Sequence, residues 1–408
     1  MSINPTRIKN ILLNLFSLAF LSMVFLAMDM LRGKIRPKGK IQKVAWFGAY
    51  GNGNLGDDLI FYSLKRIFKD QNFDIALSIR DFDRLKCYGT KVFLKGEQFY
   101  DFWKYIKQIK TADAIFLGGG GLFEYYYTSK QAYRMIMIYL CPLMLAKIFG
   151  KPSYVLGMGV NKEQIDHPII RFLYRKTLSS CQVIVTRDQK SKNGLVNNHV
   201  ITQILVAYDP VLSLDFNKYQ ASKKEGHTKP KIGFLLWPYF LWPHFYKNSE
   251  QIGNEKREQH SKFKEKIRTI IDVLKDTHDL HFLTFHFSDT LLYEEMGVSF
   301  SQNASLMEFV KKTRSMDMMV TMRYHGQIMS LLFEKPIISI SVQQKMDALA
   351  KNYDINEYNH DVSDFDPLKV VDQVYGVLGN IQPHKTKIKE NNQIIKSKIV
   401  EVYKGVQF

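Results

Sequence analysis

The six residues Thr321 to Gly326, which read TMRYHG, carry the side chains best suited to chemistry in this chain. They follow a short apolar run and precede an amphipathic one, a pattern that predicts a strand, a turn and a helix. Arg323 and His325 then stand where a strand ends and a helix begins. A guanidinium can grip phosphate or carboxylate with two bonds, an imidazole transfers protons near neutral pH, and a helix start favours anions. The stretch predicts an anion site with a titratable group; the alternative is a surface ion pair and a structural histidine.

A second arginine occupies the same kind of position in the first half of the chain. Arg187 follows the apolar run Val183 to Thr186 and precedes a predicted helix. If Arg187 and Arg323 come from two domains that face one cleft, they would clamp one doubly anionic small molecule. Their spacing in the sequence leaves open whether they meet.

The stretch Gly51 to Gly56 formally matches a dinucleotide-binding fingerprint. Asp57 and Asp58 follow in the first helical turn, where they would repel a pyrophosphate. We therefore interpret the stretch as a turn that brings Gly53, Asn54 and the two carboxylates to a ligand. Asp57 or Asp58 would bond a sugar hydroxyl or act as a general base. Helix capping by Asp57 is the alternative.

Four consecutive glycines, Gly118 to Gly121, follow the apolar run that ends at Leu117. Glycine has no Cβ, so backbone can approach a ligand closely there. This predicts that Gly119, Gly120 and Gly121 contact a ligand; a tight turn between strand and helix is the alternative.

Apolar runs alternate with helical patterns from Lys43 onward, which predicts parallel strands joined by helices. We predict an α/β protein of two Rossmann-like, doubly wound domains facing a cleft, at residues 43–218 and 231–382. A linker at 219–230 is rich in lysine and glycine, and the lysine-rich tail 383–408 has a helical pattern. Trp237 and Trp242 are predicted to be exposed loop aromatics able to stack on a sugar.

Residues 11–28 are uncharged and nearly all apolar, and a helix that crosses a bilayer needs about 20 such residues. Residues 1–42 are therefore predicted to form a membrane anchor with a basic juxtamembrane segment. A cleaved signal peptide and a helix lying in the membrane plane are the alternatives. More basic residues follow the apolar run than precede it, so the positive-inside rule predicts a single-pass protein with its catalytic domain facing the cytoplasm.

The 408 residues carry a formal net charge of +18, which favours anionic partners such as phosphate-bearing small molecules or acidic lipids. No nucleic-acid-binding motif is present, so nucleic acid is not an expected partner. Cys87, Cys141 and Cys181 lack the spacing of metal ligands or of a disulfide framework. We expect reduced thiols and no metal site.

Six motifs in order resemble the polysaccharide pyruvyl transferases. The resemblance spans nearly all of residues 44–353 and includes the run Lys335 to Ser341, with Lys345 beyond it. The motifs are Gly53 to Asp58, Gly118 to Phe123, Gly157 to Gly159, Arg187 to Ser191, Asp209-Pro210 and Arg323 to His325.

The resemblance implies a fold like the B-type glycosyltransferases and transfer of pyruvate from phosphoenolpyruvate to a sugar. The acceptor would be a cell-surface polysaccharide or its lipid-linked precursor, the product a pyruvate ketal, and no cofactor is implied beyond the donor. By motif, Arg187, Arg323 and His325 would contact phosphoenolpyruvate, with Tyr324 supplying backbone and Lys345 adding charge.

We assign catalysis to His325, as general acid or partner of the leaving phosphate, with Arg323, and assign base work or acceptor binding to Asp58 or Asp57. The chain departs from the family at Leu236-Trp237-Pro238, where many relatives have an arginine after the strand, and at Tyr324, where leucine is common. A nucleotide-sugar-dependent glycosyltransferase and a catalytically silent assembly factor of a polysaccharide machine are the alternatives.

Overall fold

The computed structural model describes residues 19–51, 54–78, 91–94, 102–123, 135–160, 164–216, 229–242, 253–301 and 306–408. Most of the predicted linker therefore lies outside the described residues. The strands, numbered in chain order, are β1 (Lys43–Phe47), β2 (Asp74–Ser78), β3 (Lys91–Leu94), β4 (Ala114–Phe123), β5 (Ser153–Val160), β6 (Val183–Thr186), β7 (Gln203–Val206), β8 (Lys231–Leu235), β9 (Asp279–Leu283), β10 (Phe300–Ser301), β11 (Met318–Thr321), β12 (Ile337–Ser341) and β13 (Asn359–Asp361).

Helices connect these strands. The described α-helices are residues 19–31, Leu55–Ile67, Phe102–Thr111, Cys141–Ile148, Pro168–Ser179, Gln189–Asn197, Asn254–Leu274, Thr290–Met296, Leu306–Ser315, Tyr324–Leu332, Gln344–Asn352, Pro367–Gly379 and Ile381–Lys404, with a π-helix at Ile136–Leu140.

The chain divides into two compact units. The first comprises Met1–Asn52, Ile60–Pro210 and Glu401–Phe408, and the second comprises Gly53–Leu59 and Val211–Val400. The helix Leu55–Ile67 thus contributes its first turn to the second unit, and the helix Ile381–Lys404 ends in the first.

The first unit contains a parallel sheet of order β3-β2-β1-β4-β5-β6-β7. Its central strands are continuous apolar runs because both faces are covered, as parallel sheets require. Trp46 of β1 lies between Leu77 and Phe116 of the neighbouring strands. The chain starts in the middle, moves to one edge, then returns to build the other half, which is the strand order of a doubly wound sheet.

The second unit repeats this plan with a parallel sheet of order β10-β9-β8-β11-β12-β13. In such sheets ligands bind beyond the carboxyl ends of the strands where the strand order reverses. In the second unit that point lies between β8 and β11, which pair from Met318 beside Ile232 to Thr321 beside Leu235. The prediction of two parallel-sheet α/β domains is confirmed.

The N-terminal helix differs from the predicted membrane span. Residues 11–18 lie outside the described residues, but the helix 19–31 buries Leu21 and Phe25 in the core of the first unit. Asp29 on the same helix pairs with the buried Lys147 at 3.2 Å. Within the described ranges no helix is long and apolar enough to cross a bilayer. The expectation of a transmembrane helix over residues 11–28 is therefore not supported, because part of its apolar surface faces protein.

The glycine run does not form the tight turn that the sequence offered as an alternative. β4 continues through it to Phe123, and Gly118 and Gly120 pair with Leu156 and Met158 of β5. Gly119 and Gly120 have φ of +85°, a conformation that side chains with a Cβ rarely adopt. The glycines let a strand continue through an irregular register.

The last residues of the first unit complete its core. Phe408 packs against Phe68, Phe73, Phe116 and Tyr154, with ring centroids 5.0–5.4 Å apart. Beside this aromatic cluster, the fully buried Tyr403 lies against Gly157, where an added Cβ would be 3.0 Å from the hydroxyl.

Candidate active site

The turn after β11 carries Arg323, Tyr324 and His325 at the carboxyl edge of the second sheet. Arg323 has extended backbone angles, and its N–H donates to Thr321 Oγ1 at 3.0 Å. The helix Tyr324–Leu332 then begins, so His325 lies in its first turn. Because β11 neighbours β8 at the reversal of strand order, these side chains stand where open α/β sheets bind ligands.

His325 is held between two partners within the second unit. Its ring stacks on Phe285, with centroids 5.9 Å apart and planes 6° from parallel. Gly56, in the first turn of the helix Leu55–Ile67, lies so close that an added Cβ would fall 2.6 Å from the ring Cγ and Cε1. His325 is only 8% exposed, so these neighbours leave its ring little room to move.

The guanidinium of Arg323 contacts the carboxylate of Asp289 and the indole of Trp237. Its Nη2 donates to Asp289 Oδ1, and its Cζ lies 4.4 Å from the ring centroid of Trp237 and 5.9 Å from that of Trp242. A guanidinium over an indole face is attracted by the ring quadrupole. Trp237 is 5% exposed, so the prediction that it is an exposed loop aromatic is wrong. Its buried indole packs against the guanidinium of Arg323.

The loop around Trp237 is fixed by Tyr293. The Tyr293 hydroxyl accepts from Leu236 N at 2.9 Å and donates to Leu283 O at 2.7 Å, which joins the ends of β8 and β9. Burial, followed by the nearby Asp289 carboxylate, raises the pKa of Tyr293 well above its ordinary value. The phenol therefore stays protonated and keeps both bonds.

Tyr324 and Lys345 form a second pair at the same edge. Lys345 Nζ lies 5.3 Å from the centroid of the Tyr324 ring, close enough for a cation–π contact. Tyr324 is mostly buried and Lys345 is half-buried. The lysine charge is thus placed beside the turn that holds Arg323 and His325.

Asp57 and Asp58 are both buried in the first turn of the helix Leu55–Ile67. Asn54 accepts from Gly56 N at 3.1 Å and donates to Asp57 Oδ2 at 2.9 Å. The side chain of Asn54 therefore organises this helix start and orients one carboxylate. Gly53 lies outside the described residues.

Arg187 stands after β6 in the first unit and is almost fully buried. Its guanidinium lies 3.7 Å from Asp188 Oδ2 and 3.9 Å from Asp209 Oδ2. Gly159 of β5 leaves the space for it, since an added Cβ there would be 2.6 Å from Arg187 Cζ. Arg187 and Arg323 belong to different units, and their predicted joint grip on one ligand stays a prediction.

Asp289 follows a strand in the sequence, but its pairing with Arg323 was not predicted, because the two residues lie far apart in the sequence. Sequence reasoning also missed Gly56 as the neighbour of His325 and Gly159 as the neighbour of Arg187. The signal for Gly159 was its place in a Gly-x-Gly pair one strand before Arg187. Within the part of the chain that the structure describes, no group of three or more His, Cys, Asp or Glu side chains is placed to hold a metal ion.

The fold is shared with solved structures at low sequence identity. A putative UDP-N-acetylglucosamine 2-epimerase from Listeria monocytogenes gives a TM-score of 0.55 at 10% identity, covering 89% of this chain and 94% of that one. The S. aureus MnaA–UDP co-structure gives 0.56 at 10% identity, with coverage of 88% and 95%. A glycotransferase of kitacinnamycin gives 0.51 at 11% identity, with coverage of 90% and 98%. These likenesses define the class: two parallel-sheet α/β domains of the glycosyltransferase-B type.

The family follows from the sequence itself. The profile of the polysaccharide pyruvyl transferase family matches residues 54–344, well over half of the chain. The match includes the glycine run, Arg187 and the turn from Arg323 to His325. The chain therefore belongs to the polysaccharide pyruvyl transferase family, a family of transferases. No curated protein matches it significantly.

Proposed function

We propose that this protein transfers pyruvate from phosphoenolpyruvate to a sugar of a cell-surface polysaccharide or of its lipid-linked precursor, forming a pyruvate ketal. The observation that carries the proposal is the placement of Arg323 and His325 at the switch point of the second sheet. A charged donor of hydrogen bonds and a group able to transfer a proton stand two residues apart on one rigid turn.

The donor would be held by the cationic side chains. Phosphoenolpyruvate carries a phosphate and a carboxylate on a three-carbon enol, and each is a planar or tetrahedral oxyanion that arginine binds well. Arg323, the backbone of Tyr324 and Lys345 would contact it from the second unit. The first-turn N–H groups of the helix Tyr324–Leu332 favour the same negative charge.

Ketal formation needs one proton delivered to the methylene carbon of phosphoenolpyruvate and one removed from each of two sugar hydroxyls. Protonation of the methylene carbon makes the adjacent carbon cationic, and a sugar hydroxyl attacks that carbon and loses its proton. Phosphate then leaves with its electron pair, and a second hydroxyl of the sugar closes the ketal. His325 is the proton donor or the partner of the leaving phosphate, and Asp58 or Asp57 takes protons from the acceptor.

Substitution of the turn tests this function. His325→Ala and Arg323→Ala are expected to abolish pyruvate transfer, since one positioned acid contributes on the order of 10²–10⁴-fold. The matched control is His281→Ala, whose ring pairs with Asp279 at 2.9 Å on β9. The assay incubates the protein with phosphoenolpyruvate and the glycan fraction of its host and measures added pyruvate by mass. In D₂O the new methyl group should carry one deuterium. If folded His325→Ala and Arg323→Ala both transfer pyruvate at the wild-type rate, the proposal is wrong.

A competition separates this function from its alternatives. Phosphoenolpyruvate should raise the melting temperature of the protein, and UDP-N-acetylglucosamine should not. The reverse result would favour a glycosyltransferase that uses a nucleotide-sugar. If the Arg323→Ala, His325→Ala double variant retains function in the pathway, the protein is an assembly factor instead.

We further propose that the N-terminal segment attaches the protein to a membrane, with both units on the cytoplasmic side. The apolar sequence of residues 11–18 continues into a helix that exposes Phe20 and Met23 at 58% and 63%. The exposed Arg36, Lys38 and Lys40 follow, and such clusters attract acidic headgroups.

The membrane test uses a deletion that spares the core. Removing residues 2–18 leaves Leu21 and Phe25 in place and, in high salt that screens the remaining basic residues, should abolish sedimentation with vesicles that contain anionic lipid. Full-length protein should sediment with them. Equal sedimentation of both proteins would refute attachment by this segment.

A further inference from the structure

Asp289 is fully buried, and both of its carboxylate oxygens are engaged. Oδ2 accepts from the backbone N–H groups of Phe285 and His286 at 2.9 Å each, and Oδ1 accepts from Arg323 Nη2. The backbone after β9 therefore fixes the carboxylate, and the carboxylate fixes the guanidinium.

Trp237 restrains the same group from its face. The indole stacks at 4.4 Å from Arg323 Cζ, and Trp237 itself packs edge-on against Trp242 with centroids 5.0 Å apart. A guanidinium has five N–H donors, and Asp289 takes one of them. About 15% of the Arg323 side chain remains exposed. The arginine is thus held in one orientation with donors left for a ligand.

We propose that Asp289 is a positioning residue of the transfer reaction, which with Trp237 aims Arg323 at the donor anion. This rests on the proposed function, in which Arg323 binds phosphoenolpyruvate. Here one arginine is oriented by a carboxylate and an indole.

Removing the negative charge of Asp289 tests whether it positions Arg323. Arg323 beside a buried carboxylate is charge-compensated, so the pair offers directed hydrogen bonds more than net positive charge. Asp289→Asn keeps an amide oxygen that can accept from Phe285 and His286 but removes the negative charge. Arg323 would then attract the donor at least as strongly, yet lose its orientation.

The experiment is steady-state kinetics of Asp289→Asn with phosphoenolpyruvate. KM for phosphoenolpyruvate should stay level or fall, while kcat falls at least ten-fold, since a displacement of about 1 Å can cost on the order of 10²-fold. The matched control is Asp317→Asn, because Asp317 also accepts a backbone N–H, from Lys231 at 3.0 Å, at the opposite edge of the sheet. A purely structural role would lower the melting temperature and leave kcat within two-fold of the wild type, and that result would overturn the proposal.

A second measurement needs no turnover. In ¹⁵N NMR the pinned guanidinium of Arg323 should show separate Nη signals, which merge in Asp289→Asn; loss of the signals in Arg323→Lys assigns them. Freely rotating Nη groups in the wild type would refute the positioning role. If the wild type transfers no pyruvate but its Nη signals are separate, the proposed function fails and the restraint on Arg323 stands.

Discussion

Gly56→Ala should strongly lower the rate of pyruvate transfer, although it replaces no charged residue. The new Cβ would lie 2.6 Å from Cγ and Cε1 of His325, whereas carbon atoms in ordinary contact are about 3.5–4.0 Å apart. The ring must therefore move by roughly 1 Å. Phe285 stacks on it and the residue is 8% exposed, so the displacement has little room.

The expected magnitudes follow from that overlap. Overpacking of this kind costs about 1–3 kcal/mol of stability, and a displacement of about 1 Å in a reacting group costs on the order of 10²-fold in rate. Urea denaturation measures the first, and kcat for pyruvate transfer measures the second. We expect kcat to fall much more than the folded fraction at the assay temperature.

The control substitution is Gly376→Ala. Gly376 lies in the helix Pro367–Gly379, and nothing stands within 4 Å of an added Cβ. Alanine in a helix interior is favoured over glycine by roughly 0.5–1 kcal/mol, so this variant should be slightly more stable and fully active. A Gly56→Ala protein with wild-type kcat would show that the position of the His325 ring does not limit transfer.

Three further outcomes follow from buried side chains. Phe25→Ala should lower the free energy of unfolding by about 3–5 kcal/mol, because Phe25 is fully buried in the core; unchanged stability in urea would mean that it faces lipid. Burial raises the pKa of Cys141 from its ordinary 9.0 to about 12, so its thiolate fraction at pH 8 falls about 10³-fold; rapid iodoacetamide labelling of the native protein, read by mass, would contradict this. Burial also raises the pKa of Tyr154 from 10.0 to about 12. The contribution of its protonated hydroxyl to the free energy of unfolding is therefore present below pH 10 and is lost as the pH rises toward 12. In urea denaturation between those pH values, Tyr154→Phe should remove a fall of about 1.4 kcal/mol per pH unit in the free energy of unfolding, and an unchanged pH dependence would refute the assignment.

Most of the sheet architecture could be predicted from the sequence because short apolar runs are bounded by polar residues. β6 has the bounds of the predicted apolar run, Val183–Thr186. β4 extends beyond the predicted apolar run, which ends at Leu117, and reaches Phe123. The extension begins with four glycines, which show no alternation of apolar and polar side chains by which a strand could be predicted. The irregular register after Gly120 depends on pairing with β5 and cannot be read locally.

The environment of the apolar N-terminal segment could not be predicted from the sequence. Residues 11–28 are apolar enough for lipid, but the core of a protein is equally apolar, so composition does not separate the two. Asp29 was the available signal, since a carboxylate directly after the run needs a partner, and it finds Lys147. At the candidate site, the types of Arg323 and His325 indicated chemistry, whereas their neighbours Asp289 and Gly56 come from distant segments.

The seating of Phe408 against Phe68, Phe116 and Tyr154 affects how the chain folds during synthesis. The ribosome finishes β7 at Val206 long before it reaches Phe408. At about 5–20 residues per second, the interval is roughly 10–40 s. Throughout that time the nascent first sheet lacks the ring that closes its aromatic cluster. Chaperones that bind exposed aromatic segments therefore have their longest opportunity on this half of the protein.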